Sequence, residues 1–193
     1  MLDGLSQPKH IISRLRECGH EGTAITDHGV IGAIPDFMVD MQKANLKAIA
    51  GCEFYIAKRD ATEKVPDNTT SHLCVLAKGE QGWKNMMKAS SASYMPQYFY
   101  RKPRLDLERL ASFSKGEFIA FSGHLGSDLA DCVFEQPKLA YRAETYEDAR
   151  TLVRADWAES VGKVIHRWQP LCGKEGCPRE IQLVDQENLP AST

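Results

Sequence analysis

Apolar positions along this chain alternate between helical and strand spacing, and their order predicts the fold class. Ile11, Ile12, Leu15 and Cys18 recur at helical spacing behind Ser6-Gln7-Pro8-Lys9, which offers a cap residue and an early proline, and Gly19 ends the pattern. Thr23-Ala24-Ile25-Thr26 is a first buried strand. From Ile34 through Phe37, Met38 and Met41 the helical period returns, Asn45 closes it, and Lys47-Ala48-Ile49-Ala50 opens a second strand that runs on through Gly51 to Ile56. Strand, helix, strand in that order is the unit of parallel α/β architecture.

Lys58 to Thr70 is polar, and Pro66-Asp67-Asn68 marks it as a surface loop. A third buried strand follows over His72 to Ala77, and Trp83, Met86, Met87 and Ser90 predict a helix leading into a loop rich in tyrosine. Leu105 to Phe113 reads as a short helix and Phe118 to Phe121 as a fourth strand, which ends in Ser122-Gly123-His124-Leu125-Gly126. Further on, the pattern predicts a helix through Leu129 and Val133, a long helix over Thr145 to Gln169 stopped by Pro170, a loop over Cys172 to Pro178 and a last strand over Ile181 to Val184.

The 193 residues, 42% hydrophobic and 26% charged, suit one soluble domain over 1–193. Twenty-four basic against 26 acidic side chains leave a formal charge of −2, so no global positive field attracts nucleic acid and any such contact is local. The six cysteines lie mostly inside apolar runs, and no basic segment leads into an apolar signal core; a reduced, cytoplasmic chain is expected. No run approaches the roughly 18 apolar residues that span a bilayer. Cys172 and Cys177 lack a matching ligand pair and read as loop thiols.

The candidate chemistry starts at Ala24-Ile25-Thr26-Asp27-His28-Gly29, where an apolar run ends in an acid and an imidazole and a glycine turns the backbone away. His28 and His124 each follow a strand, Glu53 lies within the second, and strand ends of an α/β sheet converge on one face. Imidazole and carboxylate donors together suit zinc, manganese or iron, although each residue alone is more often a satisfied polar group. His72 is a further candidate from the front of its strand, and Asp27 either orients His28 or caps the turn. Tyr98-Phe99-Tyr100-Arg101-Lys102-Pro103-Arg104 interleaves aromatics with cations, as stacking on bases and pairing with phosphates require. A surface hairpin that buries the rings and solvates the charges accounts for it equally well.

Taken in order, Leu2-Asp3-Gly4, Ala24 to Gly29, Gly51-Cys52-Glu53, His72 to Lys78, Lys102-Pro103-Arg104 and Ser122 to Gly126 resemble the polymerase and histidinol phosphatase (PHP) domain. The form they resemble is the one at the front of the bacterial DNA polymerase III alpha subunit. The resemblance implies a distorted seven-stranded α/β barrel with a divalent metal cluster, a 3'-5' exonuclease site in some lineages and a structural support in others. It implies metal ligation by Asp3, His28, Glu53, His72 and His124, catalytic work at His28 and Asp27, and phosphate binding by Arg104 and Lys102. DNA and the remainder of the polymerase are the implied partners, and no membrane is.

The family's opening His-x-His pair and closing Asp-x-His pair have no counterpart here, and Trp157 to Arg179 matches poorly, so a divergent or inserted segment is expected over 157–179. The expectation is a domain lacking its first and last strands, with a weakened cluster and an exposed sheet edge that invites a partner chain. A catalytically inactive module supporting the polymerase is the alternative. A small-molecule phosphatase is a third reading, opposed by the polymerase-like Lys102-Pro103-Arg104.

Overall fold

One long strand organises the computed structural model, which describes residues 6–123, 125–128, 130, 167 and 170–171. The elements run α1 (Pro8–Glu17), β1 (Gly22–Ile25), α2 (Ile34–Lys43), β2 (Lys47–Ala57), β3 (Thr70–Ala77), α3 (Gly79–Ser93), α4 (Leu107–Ser114) and β4 (Phe118–Phe121). Among the described residues the four strands lie in the order β1-β2-β3-β4. β2 changes partner at its middle: Lys47 to Ala50 pair in parallel with β1, and Gly51 to Ala57 pair antiparallel with β3. At Gly51 the neighbours approach closely, since a Cβ there would meet Thr26 and Leu76 side chains at 2.7 Å each.

The parallel β1-α2-β2 unit is as the spacing predicts. The third strand is not, because it returns antiparallel. A parallel return needs a crossover, usually a helix, and the 58–69 connection has no helical period, so the chain doubles back through a loop. β4 pairs antiparallel with β3, from Cys74 opposite Phe121 to Ala77 opposite Phe118. Where a seven-stranded barrel is expected, the described residues form four strands in one mixed sheet. The strand expected at Ile181 to Val184 and the cysteine loop at 172–178 lie outside the described residues, as does nearly all of segment 157–179; of the helices expected around Leu129 to Val133 and over Thr145 to Gln169, only Ala130 and Arg167 are described, both helical.

Strand alternation assigns the two faces of the sheet. Cys52, Phe54, Ile56, Leu73 and Val75 pack with Met86 and Ala89 of α3, Leu110 of α4 and Phe118 to form the main core. A smaller core of Leu15, Phe37 and Met41 seats α1 and α2. The opposite face is left to Glu53, Tyr55, His72 and Cys74. Burial of one face thus sets which residues are presented on the other.

The polar loop after β2 is more tightly held than its composition suggests. Arg104 lies inside it, 1% exposed, and its guanidinium donates to the carbonyls of Asn68 and Ala61 at 3.0 Å, Glu63 at 2.8 Å and Tyr98 at 3.4 Å. The Asn68 amide donates to the carbonyls of Asp60 and Glu63 and its oxygen accepts from the Arg59 amide. The Thr62 hydroxyl and amide, with Arg109, hold the Asp60 carboxyl down at about 2. α4 begins at Asp106, whose side chain accepts from the Arg109 amide at 2.9 Å, and ends at Lys115 in the left-handed region. Among the described residues no helix is long and apolar enough to cross a membrane.

Candidate metal centre

The site forms where the turn after β1 meets β2 and β3. The Glu53 amide donates to the Asp27 carbonyl at 3.0 Å and the Gly29 amide to the Glu53 carbonyl at 2.8 Å, so His28 sits in register beside Glu53. Gly29 has φ +68°, and a Cβ there would meet the Tyr55 ring at 2.9 Å and Pro103 at 3.1 Å. Gly29→Ala is expected to cost about 2 kcal/mol from the left-handed backbone and the crowding together. Chemical denaturation measures that loss, and an unchanged midpoint would show that the turn tolerates a side chain.

Antiparallel pairing brings in the remaining groups. Glu53 faces Cys74 and Tyr55 faces His72, so His72 reaches Glu53 diagonally on one face. His28 Nδ1 lies 2.8 Å from Glu53 Oε1, and His72 Nδ1 also bonds that same oxygen. The two imidazoles stand edge to face with centroids 6.1 Å apart, and Tyr55 meets His72 edge-on at 5.0 Å. Donor atoms of His28, Glu53 and His72 all lie within 4.8 Å of one another.

Burial raises the pKa of the Glu53 carboxyl, but hydrogen bonds from His72 and His28, with their charges, outweigh it and leave the group below its usual value. Glu53 is thus held ionised. A carboxylate only accepts, so each Nδ1 donates to Oε1 and the shared oxygen orients both rings. Two imidazole nitrogens beside one anionic oxygen fit zinc, manganese or iron.

Cys74 completes the floor, with Sγ 3.7 Å from Glu53 Oε2. Burial first, then the Glu53 charge, pushes this thiol up to about 11, so it stays protonated. Sequence spacing does not single out Cys74; only its register opposite Glu53 does. On the open side Lys102 Nζ stands 4.0 Å from the centre of the Tyr55 ring. Burial lowers the Lys102 ammonium pKa, partly offset by the Glu53 charge.

The sequence profile of the PHP domain matches residues 1–182. The chain belongs to the PHP domain family. This PHP domain is 35% identical over 153 residues to the DNA polymerase III subunit alpha of Borreliella burgdorferi, covering 78% of the chain and 12% of the relative. It is 37% identical over 117 residues to that of Helicobacter pylori strain J99, covering 60% and 10%. The subunit of Treponema pallidum is 36% identical over 132 residues, covering 67% and 11%. The chain thus spans about a tenth of the length of these curated relatives. Among solved structures, a protein assigned as a metal-dependent phosphoesterase from Bifidobacterium adolescentis aligns over 90% of this chain and 52% of its own, with TM-score 0.32 and 17% identity.

Of the residues expected in the site of this PHP domain, the structure brings His28, Glu53 and His72 together and sets Lys102 beside them. His72 belongs to β3 rather than preceding it. Asp27 adjoins His28 through the backbone, while His28 Nδ1 goes to Glu53 and not to the Asp27 carboxylate. Arg104, expected to bind phosphate, requires correction: it is buried, and its donors are turned inward onto loop carbonyls. Asp3 and His124 lie outside the described residues. Gly126 and Gly123 reach the floor of the site, since the His72 amide donates to the Gly126 carbonyl at 3.0 Å and a Cβ on Gly123 would meet Cys74 Sγ at 2.5 Å.

Proposed function

We propose that this chain is the PHP portion of a DNA polymerase III alpha subunit and carries a metal-dependent phosphoesterase site that acts as a 3'-5' exonuclease on a DNA strand. The convergence of His28, His72 and Glu53 supports the reading most directly. His28, His72 and Glu53 hold the divalent ions, Zn, Mn or Fe, with Asp3 and His124 as further ligands. A divalent ion bound there supplies Lewis acidity toward a phosphoryl oxygen and hydroxide at neutral pH.

The chain's own residues orient and bind. Glu53 fixes both imidazoles through its shared oxygen, Cys74 donates to the other carboxylate oxygen, and the Asp27 backbone sets the position of His28. Lys102 meets the phosphate, without Arg104, whose donors are committed to the fold. Residues 1–193 form one domain, 157–179 is a divergent segment, and the described sheet is part of a seven-stranded barrel. The remainder of the polymerase in the cytoplasm is the partner.

The test is metal analysis of the purified chain, then digestion of a 3'-labelled single strand with Mn²⁺ or Zn²⁺. Bound metal and shortening from the 3' end, both lost in His28→Ala, are expected. No bound metal and no cleavage, with His28→Ala indistinguishable, would leave a structural module of the polymerase instead.

A further inference from the structure

Two large rings just upstream of Lys102 take no part in the core. Tyr94 is 46% and Phe99 39% exposed, and their centroids lie 6.2 Å apart with planes tilted by 35°. Their backbone is fixed: Tyr94 closes α3, and the Phe99 amide donates to the Met95 carbonyl at 3.0 Å. Arg101 follows in the left-handed region at φ +62°, with its guanidinium carbon 5.2 Å from the Tyr100 ring centre. Among the described residues Arg101 has no carboxylate partner. Lys102 then stands over Tyr55, whose ring touches His72.

Lys102 lies three steps along the chain from Phe99, at most about 10 Å if extended. Exposed rings, two cations stacked on rings without a carboxylate salt bridge among the described residues, and a metal-ligating group therefore occur in sequence along one short path. A nucleic-acid strand offers the complement: π faces for the rings, phosphates for the cations and a phosphoester for the centre. A protein ligand would use the rings but has no repeating anion to meet Arg101 and Lys102.

We propose that Tyr94 and Phe99 form a stacking platform for the bases of a single strand whose phosphates run past Arg101 and Lys102 to the His28, Glu53 and His72 group. The proposal rests on the phosphoesterase reading and deepens it, by assigning to named side chains the unpaired bases that lead into the site. It also decides between the two sequence readings of this stretch, because a hairpin that hides its aromatics would not leave Phe99 exposed.

Fluorescence anisotropy of the whole 193-residue chain with an end-labelled oligothymidylate, in chelator, tests this against an abasic strand of equal length. Phe99→Ala and Tyr94→Ala are each expected to weaken oligothymidylate binding about tenfold and to leave the abasic strand unaffected. Phe99→Trp keeps the affinity, and Phe99→Leu, which keeps apolar bulk without a π face, behaves like alanine. Thermal melting unchanged in all four variants keeps the readout on binding. Equal loss on both strands, no loss on either, or no oligonucleotide binding by the parent chain each overturns the platform. So does unchanged oligonucleotide affinity with altered self-association, which would make the patch a protein contact. Mn²⁺ titration separates the two readings: absent metal binding with intact Phe99-dependent stacking removes the phosphoesterase and leaves the platform standing.

Discussion

Glu53→Gln is expected to lower the affinity of the chain for Mn²⁺ or Zn²⁺ at least about 100-fold, the upper end of what a supporting group contributes. The substitution keeps size and one carbonyl oxygen and removes the negative charge. That charge has two tasks: it balances the cation, and it holds two imidazoles in orientation through one shared oxygen. Removing it affects three ligands together, so the loss exceeds that from either histidine's hydrogen bond. The apo fold is expected to survive, because Glu53 contributes to the polar face and not to the main core of Phe54, Ile56, Leu73 and Val75. Isothermal titration with Mn²⁺ and far-UV circular dichroism together measure both halves. Parental affinity in a folded variant would remove Glu53 from the metal site.

Arg104→Ala is expected to destabilise the chain by about 3 kcal/mol, since it strands several buried carbonyls and opens a cavity in the loop. For a chain of this size that corresponds to a melting temperature lower by roughly 10 °C. The guanidinium bridges the carbonyls of Ala61, Glu63 and Asn68 on one side and of Tyr98 on the other. It therefore ties the β2–β3 connection to the chain that carries Lys102. Lysine at 104 recovers only part of the loss, because a single ammonium cannot span the fork that a planar guanidinium covers. Differential scanning calorimetry of the three proteins measures this. Melting of Arg104→Ala at the parental temperature would show that the loop holds without it.

The same two residues mark the boundary of what one-dimensional pattern reading reaches. The β1-α2-β2 unit and the strand at Phe118 to Phe121 were legible, because burying one face of a helix or strand imposes a period that the side chains must follow. His28 and Glu53 were legible as candidates, because a parallel unit places the ends of both strands on one side. The antiparallel course of β3 was not. Its only local trace is the missing helical period over 58–69, and register depends on pairing partners distant in the chain. With that register come the diagonal reach of His72 to Glu53 and the place of Cys74 opposite it.

Lys102 and Arg104 are both cations in one basic tripeptide, and nothing in their types tells which faces the site. By itself the sequence determined the family, the leading strand-helix-strand unit and the residue types able to ligate a metal. Tertiary structure decided which of those residues share an oxygen and which cation is turned inward. The physical reason is that periodicity is a local property of burial, whereas a polar side chain's role is set by the groups that happen to surround it in space.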